Sequence, residues 1–398
     1  MLNLTRLWTG QAQPADHLRY GRGGGAPGSA RARRPIVVWN ITRTCNLRCI
    51  HCYSDSEAMA YPGELSWEQM ESVVEDVAAY GVPGLLLSGG EPLVHPRFDD
   101  LLAKACGLGL KVTISTNGTR ITPEKASRFK ELGVAYVGIS LDGIGETHDY
   151  FRGKKGAFEA AVQGFRHCHA AGQKTGLRLT LTRHNVENLE AILDFIDAEN
   201  IQRACFYHLV PAGRGSELQV LDAAMSRHAL DTLIDRVEAW HARGMHREVL
   251  TVTQPADGAY LLLRMRRENH PRLAETEELL GWNGGGANSS GTGISNIDPQ
   301  GHVHPDQFWQ DVTLGNVKET PFSTIWEAQT AQGPLLQEIR SLGQLDVKGR
   351  RALMHGRCAR CRFFPLCGGG FRTRAAFATG DFWGSDPACY LTDEEIAE

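Results

Sequence analysis

The sequence predicts an α/β protein: a partial (β/α)6 barrel followed by a C-terminal extension with its own cluster of cysteines. Three observations lead there. Between about residues 35 and 215, short β-branched runs alternate with longer amphipathic stretches, the pattern of parallel strands with crossover helices. Directly after the first such run comes Cys45-Asn46-Leu47-Arg48-Cys49-Ile50-His51-Cys52-Tyr53, three thiols spaced C-x3-C-x2-C. Four more cysteines gather near the C-terminus. With 398 residues the chain has room for two or three domains. A net charge of −4 and a pI near 6.4 argue against binding nucleic acid through a basic surface. No apolar run approaches the roughly eighteen residues of a membrane span, and residues 1–34 have no signal-peptide core. Seven of the ten cysteines sit in two ligand-like clusters, which fits a reducing cytoplasm better than a disulfide framework.

In chain order, residues 1–34 end in a glycine- and arginine-rich stretch and read as a flexible basic leader. The barrel is expected over 35–215. Its strands are Ile36–Ile41, Gly84–Leu87, Lys111–Ser115, Tyr136–Leu141, Leu177–Thr182 and Ala204–Leu209, each a short run rich in β-branched or aromatic residues. Helices fall between them: one capped by Ser66 with Gln69 at the capping-box position, others near 97–107, 123–132, 156–171 and 186–199. Residues 216–282 read as a helical connection with a long helix near 222–243. The segment 283–293 is too glycine-rich for a regular element, and Ile294–Val303 reads as a hairpin turning at Pro299-Gln300-Gly301. Residues 283–398 then form the extension. Cys106, Cys168 and Cys205 remain, and are expected to be buried small hydrophobes; His167 and His169 flank Cys168 but point away from it on a helix.

In a barrel of this kind the strand exits carry the chemistry. Iron–sulfur cubes are normally held by four cysteines, so three in one loop leave an iron with an open coordination site. Zinc is the competing ligand reading for such thiols. The second strand exits into Ser88-Gly89-Gly90-Glu91-Pro92, whose glycines let the backbone approach a ligand closely. The next two exits are Ser115-Thr116-Asn117-Gly118 and Ser140-Leu141-Asp142-Gly143, and Arg152 follows shortly after. Ordinary loop capping also explains Ser, Asn and Asp there. The sixth exit holds His208 and Arg214, which could meet an anionic substrate.

The cysteine loop with its trailing aromatic, together with the Gly-Gly-Glu-Pro exit, resembles the radical S-adenosylmethionine (SAM) superfamily. That resemblance implies a [4Fe-4S] cluster on Cys45, Cys49 and Cys52, whose open iron is chelated by SAM. An electron from the cluster would split SAM into methionine and a 5′-deoxyadenosyl radical. It further implies SAM contacts from Gly89, Gly90 and Glu91 (amino group), Asn117, Ser140 and Asp142 (ribose and carboxylate), Arg152 (carboxylate) and Tyr53 (adenine). The tail, Cys358-x2-Cys361-x5-Cys367-Gly368-Gly369-Gly370 with Cys389 further on, resembles the SPASM/twitch extension. It departs from the two-cluster form: Asp306 and Phe371 stand where relatives have cysteine. The four remaining thiols suit one auxiliary [4Fe-4S] cluster with no vacancy, fitted to electron relay; a four-cysteine zinc ribbon is the alternative.

Across nearly the whole chain the resemblance narrows to the radical SAM enzymes of haem d1 biosynthesis. It is carried by Trp39-Asn40-Ile41-Thr42-Arg43-Thr44-Cys45, Tyr53-Ser54-Asp55-Ser56, Tyr207–Gly215, the 283–293 segment, Gly368-Gly369-Gly370 and Asp386-Pro387-Ala388-Cys389-Tyr390-Leu391. This implies an iron tetrapyrrole substrate, 12,18-didecarboxysirohaem, from which propionate side chains are removed, and a reducing electron donor such as flavodoxin or ferredoxin. Backbone amides of Gly284–Gly293 are expected to form a carboxylate-binding nest. Rival readings are a sirohaem-pathway haem decarboxylase, a peptide-modifying SPASM maturase and a non-catalytic iron–sulfur electron carrier. The leader is too short for a peptide-recognition domain, and a carrier needs no SAM pocket.

Overall fold

A computed structural model of the chain describes residues 1–20, 34–215, 220–283, 290–328 and 347–397. Its centre is one eleven-stranded sheet. The strands are β1 (Leu2–Asn3), β2 (Ile36–Asn40), β3 (Leu85–Ser88), β4 (Val112–Thr116), β5 (Tyr136–Ser140), β6 (Thr175–Leu181), β7 (Arg203–His208), β8 (Glu248–Val252), β9 (Ile294–Ile297), β10 (His302–His304) and β11 (Gly315–Asn316). They lie in the order β1-β8-β7-β6-β5-β4-β3-β2-β9-β10-β11. From β2 to β8 every neighbour is parallel.

Side chains alternate between the two faces of each strand. Val37, Trp39, Leu85, Leu87, Val112, Ile114, Val137, Ile139, Leu177 and Leu179 point outward and are buried under the helices. Val38, Leu86, Thr113, Tyr136, Arg178 and Tyr207 point inward and line a single lumen of about 1190 Å³. One lumen walled by β2 through β8 is what a curled sheet produces, so the partial barrel is as expected. The helix Trp67–Tyr80 shows how the outer layer is fixed. Ser66 and Gln69 make both capping-box bonds, and Met70, Val73, Val74 and Val77 form one buried stripe. Each such buried side chain contributes about 1.5–3 kcal/mol.

Three expectations are corrected. Residues 1–20 are not a flexible leader. Leu2–Asn3 pairs antiparallel with β8, and the helix Leu4–Thr9 packs on the helix Ala223–Ala242 through Leu4, Leu7 and Trp8, all buried. Arg19 ties this segment down through Asp16 and Glu248 at 2.8 and 3.0 Å. The glycine-arginine stretch 21–33 lies outside the described residues. Residues 216–282 are more than a helical connection, because β8 adds a seventh parallel strand beside β7. Finally, the 283–398 extension is not simply appended. The hairpin forms as expected, but β9 also pairs in parallel with β2, placing Ile36 against Ile294 and Val38 against Asn296.

Candidate active site

The loop after β2 is held by main-chain bonds from three directions. Cys45 N donates to Glu57 O (3.0 Å), Arg48 N to Arg152 O (3.2 Å), Ile50 N to Phe151 O (3.0 Å), and Arg214 N donates to Cys52 O (2.9 Å). Cys45 and Cys49 are buried with Leu47 and Ala157, and Cys52 packs against them. Three donors reach the sulfurs: Leu47 N to Cys45 Sγ (3.4 Å), Ser56 N to Cys52 Sγ (3.5 Å) and Arg152 Nη1 to Cys49 Sγ (3.5 Å). Burial pushes the Cys45 thiol up to about 12 and raises Cys49 as well, the latter against the pull of Arg152. Such thiols stay protonated until a metal displaces the proton. No three His, Cys, Asp or Glu side chains among the described residues meet around one ion. Three thiols packed together in one loop, two buried and one partly so, each with a donor aimed at its sulfur, fit the corners of a cluster.

The Gly89-Gly90-Glu91 exit leans directly on this loop. A side chain at Gly90 would run into the carbonyl oxygens of Arg43 and Thr44. Gly90 N donates to Thr42 O (2.7 Å) and Glu91 N to Thr44 O (3.0 Å). The Glu91 carboxylate is fully buried and accepts from Thr116 Oγ1 (2.7 Å), Asn117 N (2.7 Å) and Leu93 N (3.0 Å), so it staples the β3 exit to the β4 exit. Asn117 in turn donates to Asn46 Oδ1 in the cysteine loop (2.9 Å).

Asp142 is a second hub. Its carboxylate pairs with Arg152, lies 3.4 Å from His51 Nε2, and accepts from Thr180 N (2.9 Å). Burial alone would raise this carboxyl, but Arg152 and His51 outweigh it and hold it below the usual carboxylate range. Arg152 thus links the β5 exit to the Cys49 sulfur, and its Nε is buried without a partner. Ser140 is partly exposed, and its hydroxyl makes no hydrogen bond among the described residues. Tyr53 donates to Asn40 Oδ1 (3.1 Å), and its ring meets Phe308 edge-on at 5.4 Å.

The two residues expected to meet substrate have protein partners. Arg214 donates to Cys49 O (2.8 Å), Asp55 (2.6 Å) and Ser56 O (2.7 Å), which makes it a brace for the cysteine loop. His208 Nε2 lies 3.1 Å from Asp257, which also accepts from Tyr390 Oη at 2.7 Å. That network joins the barrel to the C-terminal extension.

Cys358, Cys361, Cys367 and Cys389 all line one small, mainly apolar cavity, walled also by Phe363, Phe364, Gly369 and Gly370. Burial pushes Cys389 up to about 11 and raises Cys361 and Cys367. The two halves of this cradle are clamped by Asp386, which accepts from Phe371 N (2.7 Å) and Ala388 N (3.0 Å) and pairs with Arg374. Four thiols around a dry cavity fit a fully ligated auxiliary cluster.

Asp306 and Phe371, standing in place of expected cysteines, have other roles. Asp306 is buried and accepts from Ser290, Thr373 Oγ1 (3.0 Å), Phe308 N (2.7 Å) and Trp309 N (3.0 Å). Phe371 meets Phe308 edge-on, and both line the lumen. Cys168 and Cys205 are buried, as expected, the latter in the lumen wall, whereas Cys106 is half-buried against the core. Six of the ten residues in the expected nest, 284–289, lie outside the described residues. The sequence reading missed Asn46, Tyr136, Arg178 and Phe308. For the lumen residues the available signal was strand parity: Tyr136 and Arg178 fall at inward positions of their strands.

Residues 39–196 match the radical SAM superfamily, and residues 290–362 match the SPASM iron–sulfur cluster-binding domain. The second match spans Asp306, Cys358 and Cys361 and stops before Cys367 and Cys389. The chain is 44% identical over its whole length to the Fe-coproporphyrin III synthase of Methanosarcina barkeri, covering 99% of that protein. It is 43% identical over 91% of its length to the pre-haem d1 synthase of Dinoroseobacter shibae, covering 87% of it. Among solved structures, anSMEcpe with bound AdoMet superimposes with a TM-score of 0.67 at 20% identity, over 91% of this chain and 96% of that one. Streptococcus suis SuiB bound to S-adenosylmethionine gives 0.66 at 16% identity, over 90% and 77%. At these identities the two structures speak for the fold.

Proposed function

Because the chain belongs to the radical SAM superfamily and carries a SPASM iron–sulfur extension, we propose that it removes carboxylate-bearing side chains from an iron tetrapyrrole. Cys45, Cys49 and Cys52 would hold the SAM-binding [4Fe-4S] cluster, and Cys358, Cys361, Cys367 and Cys389 the auxiliary one. When bound, cluster and SAM together supply one-electron cleavage of SAM and, from it, a hydrogen-abstracting carbon radical. The protein does the rest. The Gly89–Gly90 backbone and the Ser140 hydroxyl contact SAM, with Tyr53 beside its adenine. Glu91, Asn117 and Asp142 lock the strand exits to the cysteine loop. Arg152 balances the charge at Cys49 and offers its Nε to the SAM carboxylate.

The observation that carries the substrate reading is the lumen. At about 1190 Å³ it exceeds the roughly 300–1,000 Å³ of ordinary small-molecule sites, as a macrocycle requires. Phe308 in its wall meets Tyr53, the residue after Cys52, edge-on, so the lumen shares a wall with the first thiol loop. Anaerobic turnover of the reconstituted protein with 12,18-didecarboxysirohaem, SAM and a reductant should release 5′-deoxyadenosine and yield a tetrapyrrole of lower mass. Release of 5′-deoxyadenosine with the tetrapyrrole unchanged would refute the assignment.

Two outcomes are distinguished by that mass. Loss of propionates leads toward haem d1. A second reading, loss of the acetate arms to leave Fe-coproporphyrin III, is favoured by one observation: similarity to the Methanosarcina barkeri synthase extends over the whole chain. It therefore includes the N-terminal segment whose Met1 and Leu2 line the lumen.

A further inference from the structure

The geometry points to Arg178, with Tyr136 and Tyr207, as the subsite in the barrel lumen that binds a carboxylate arm of the substrate. It rests on the tetrapyrrole reading and adds the residue that orients the ring.

Arg178 sits on β6 at an inward position and lines the lumen. The other two arginines lining the lumen are paired, Arg19 with Asp16 and Glu248 and Arg203 with Glu248 at 3.3 Å. The Arg178 guanidinium has no ion pair and no hydrogen bond among the described residues and lies over the Tyr207 ring at 4.9 Å. The ionisable groups that act on it most strongly are Tyr207, Cys205, Tyr136 and Tyr53. Arg178 is only partly buried, so a carboxylate entering the lumen can reach its guanidinium without an ion pair having to break first. Tyr136 repeats the pattern, since its hydroxyl is buried and has no hydrogen-bond partner.

Two strand glycines make this arrangement possible. A side chain at Gly138 would collide with the Arg178 stem, and one at Gly176 with the Tyr136 hydroxyl. Glycine inside a strand weakens it and marks a place where something must approach closely. The depth is also suitable. Thr180, whose amide binds Asp142 beside the SAM pocket, is two residues further along β6. Arg178 therefore lies about 6–7 Å below that level, within the span of one macrocycle. A guanidinium presents a planar fork matched to a carboxylate, and a phenol adds a neutral donor.

The test uses full-length, reconstituted protein held anaerobically and two probes followed by their Soret bands: Fe-coproporphyrin III, a tetracarboxylate, and its tetramethyl ester. Arg178→Met should weaken binding of the tetra-acid by about tenfold or more, the order expected for a charge-assisted contact, and leave the ester within about twofold. Arg178→Lys keeps the charge without the fork and should fall between. Equal weakening of both probes would show that Arg178 merely supports the fold, and tetra-acid binding as tight as wild type would equally overturn the subsite. Failure of the wild-type protein to bind either probe would instead overturn the tetrapyrrole reading on which the subsite stands. Circular dichroism of each variant checks that the barrel has formed.

Discussion

Arg374→Met isolates what holds the auxiliary cradle together. Both side chains of the Arg374–Asp386 pair are 1% exposed, and the contact is bidentate, Nε to Oδ1 at 2.8 Å and Nη2 to Oδ2 at 2.7 Å. Arg374 also donates to Gln254 Oε1 at 3.3 Å, and Gln254 donates to Ala388 O at 2.7 Å, beside Cys389. Removing the guanidinium strands a buried carboxylate that keeps only the amides of Phe371 and Ala388. Breaking one side of such a pair costs about 3–5 kcal/mol, whereas removing both charges costs far less. The expected result is a loss of that size in chemical denaturation of the reconstituted protein, with iron and sulfide falling by about half as one of two clusters is lost. The double variant Arg374→Met with Asp386→Asn should recover part of the stability, because no buried charge is left unpaired, although the one amide oxygen can accept from only one of the two backbone donors, Phe371 N on Oδ2 or Ala388 N on Oδ1. A single variant within about 1 kcal/mol of wild type and with full iron content would refute the reasoning.

Further perturbations separate the two thiol sets and the supporting shell. Cys45→Ala should abolish reductive SAM cleavage, while Cys389→Ala should halve the iron content and leave SAM cleavage without substrate measurable by 5′-deoxyadenosine release. Gly90→Ala forces the β3 exit off the carbonyls of Arg43 and Thr44 and should weaken SAM binding by about tenfold or more, read by equilibrium dialysis. His148, its Nδ1 accepting from Asp142 N at 3.0 Å, is pushed down to about 3 by burial and by Arg152. The unfolded chain titrates near 6.5 and takes up the proton first, so this contribution is complete above that pH and is lost as pH falls toward 3. Unfolding free energies compared near pH 7.5 and near pH 5.5 should therefore fall less in His148→Gln than in wild type.

The six strands were legible in the sequence to within two residues at each end, because each is a short β-branched run bounded by turn residues. The thiol spacings were legible for a different reason: metal ligands must recur at fixed offsets in a loop. Residues 2–8 were not, although Leu2, Leu4, Leu7 and Trp8 carry an apolar pattern; the glycines and arginines after them dominate the composition. β8, no shorter than β2, was hidden by its place between the two long helices Ala223–Ala242 and Ala256–Arg267. Partner choice was hardest to read. His208 and Arg214 have the chemistry of substrate ligands, yet Asp257, Asp55 and the backbone carbonyls of Cys49 and Ser56 lie close enough to claim them. Arg178 looks like any strand arginine until the lack of an ion pair among the described residues becomes visible in three dimensions.

β9 lies in parallel register against β2, the strand that launches the first thiol loop. β2 therefore has a hydrogen-bonded neighbour on each flank, one of them supplied from more than 250 positions away in the chain. A shortened chain ending before residue 290 would strip that flank and leave a bare main-chain ladder, the kind of edge other chains add to. Truncation would thus give an adhesive barrel in place of a simpler enzyme, and the first loop to suffer would be the one the chemistry starts from.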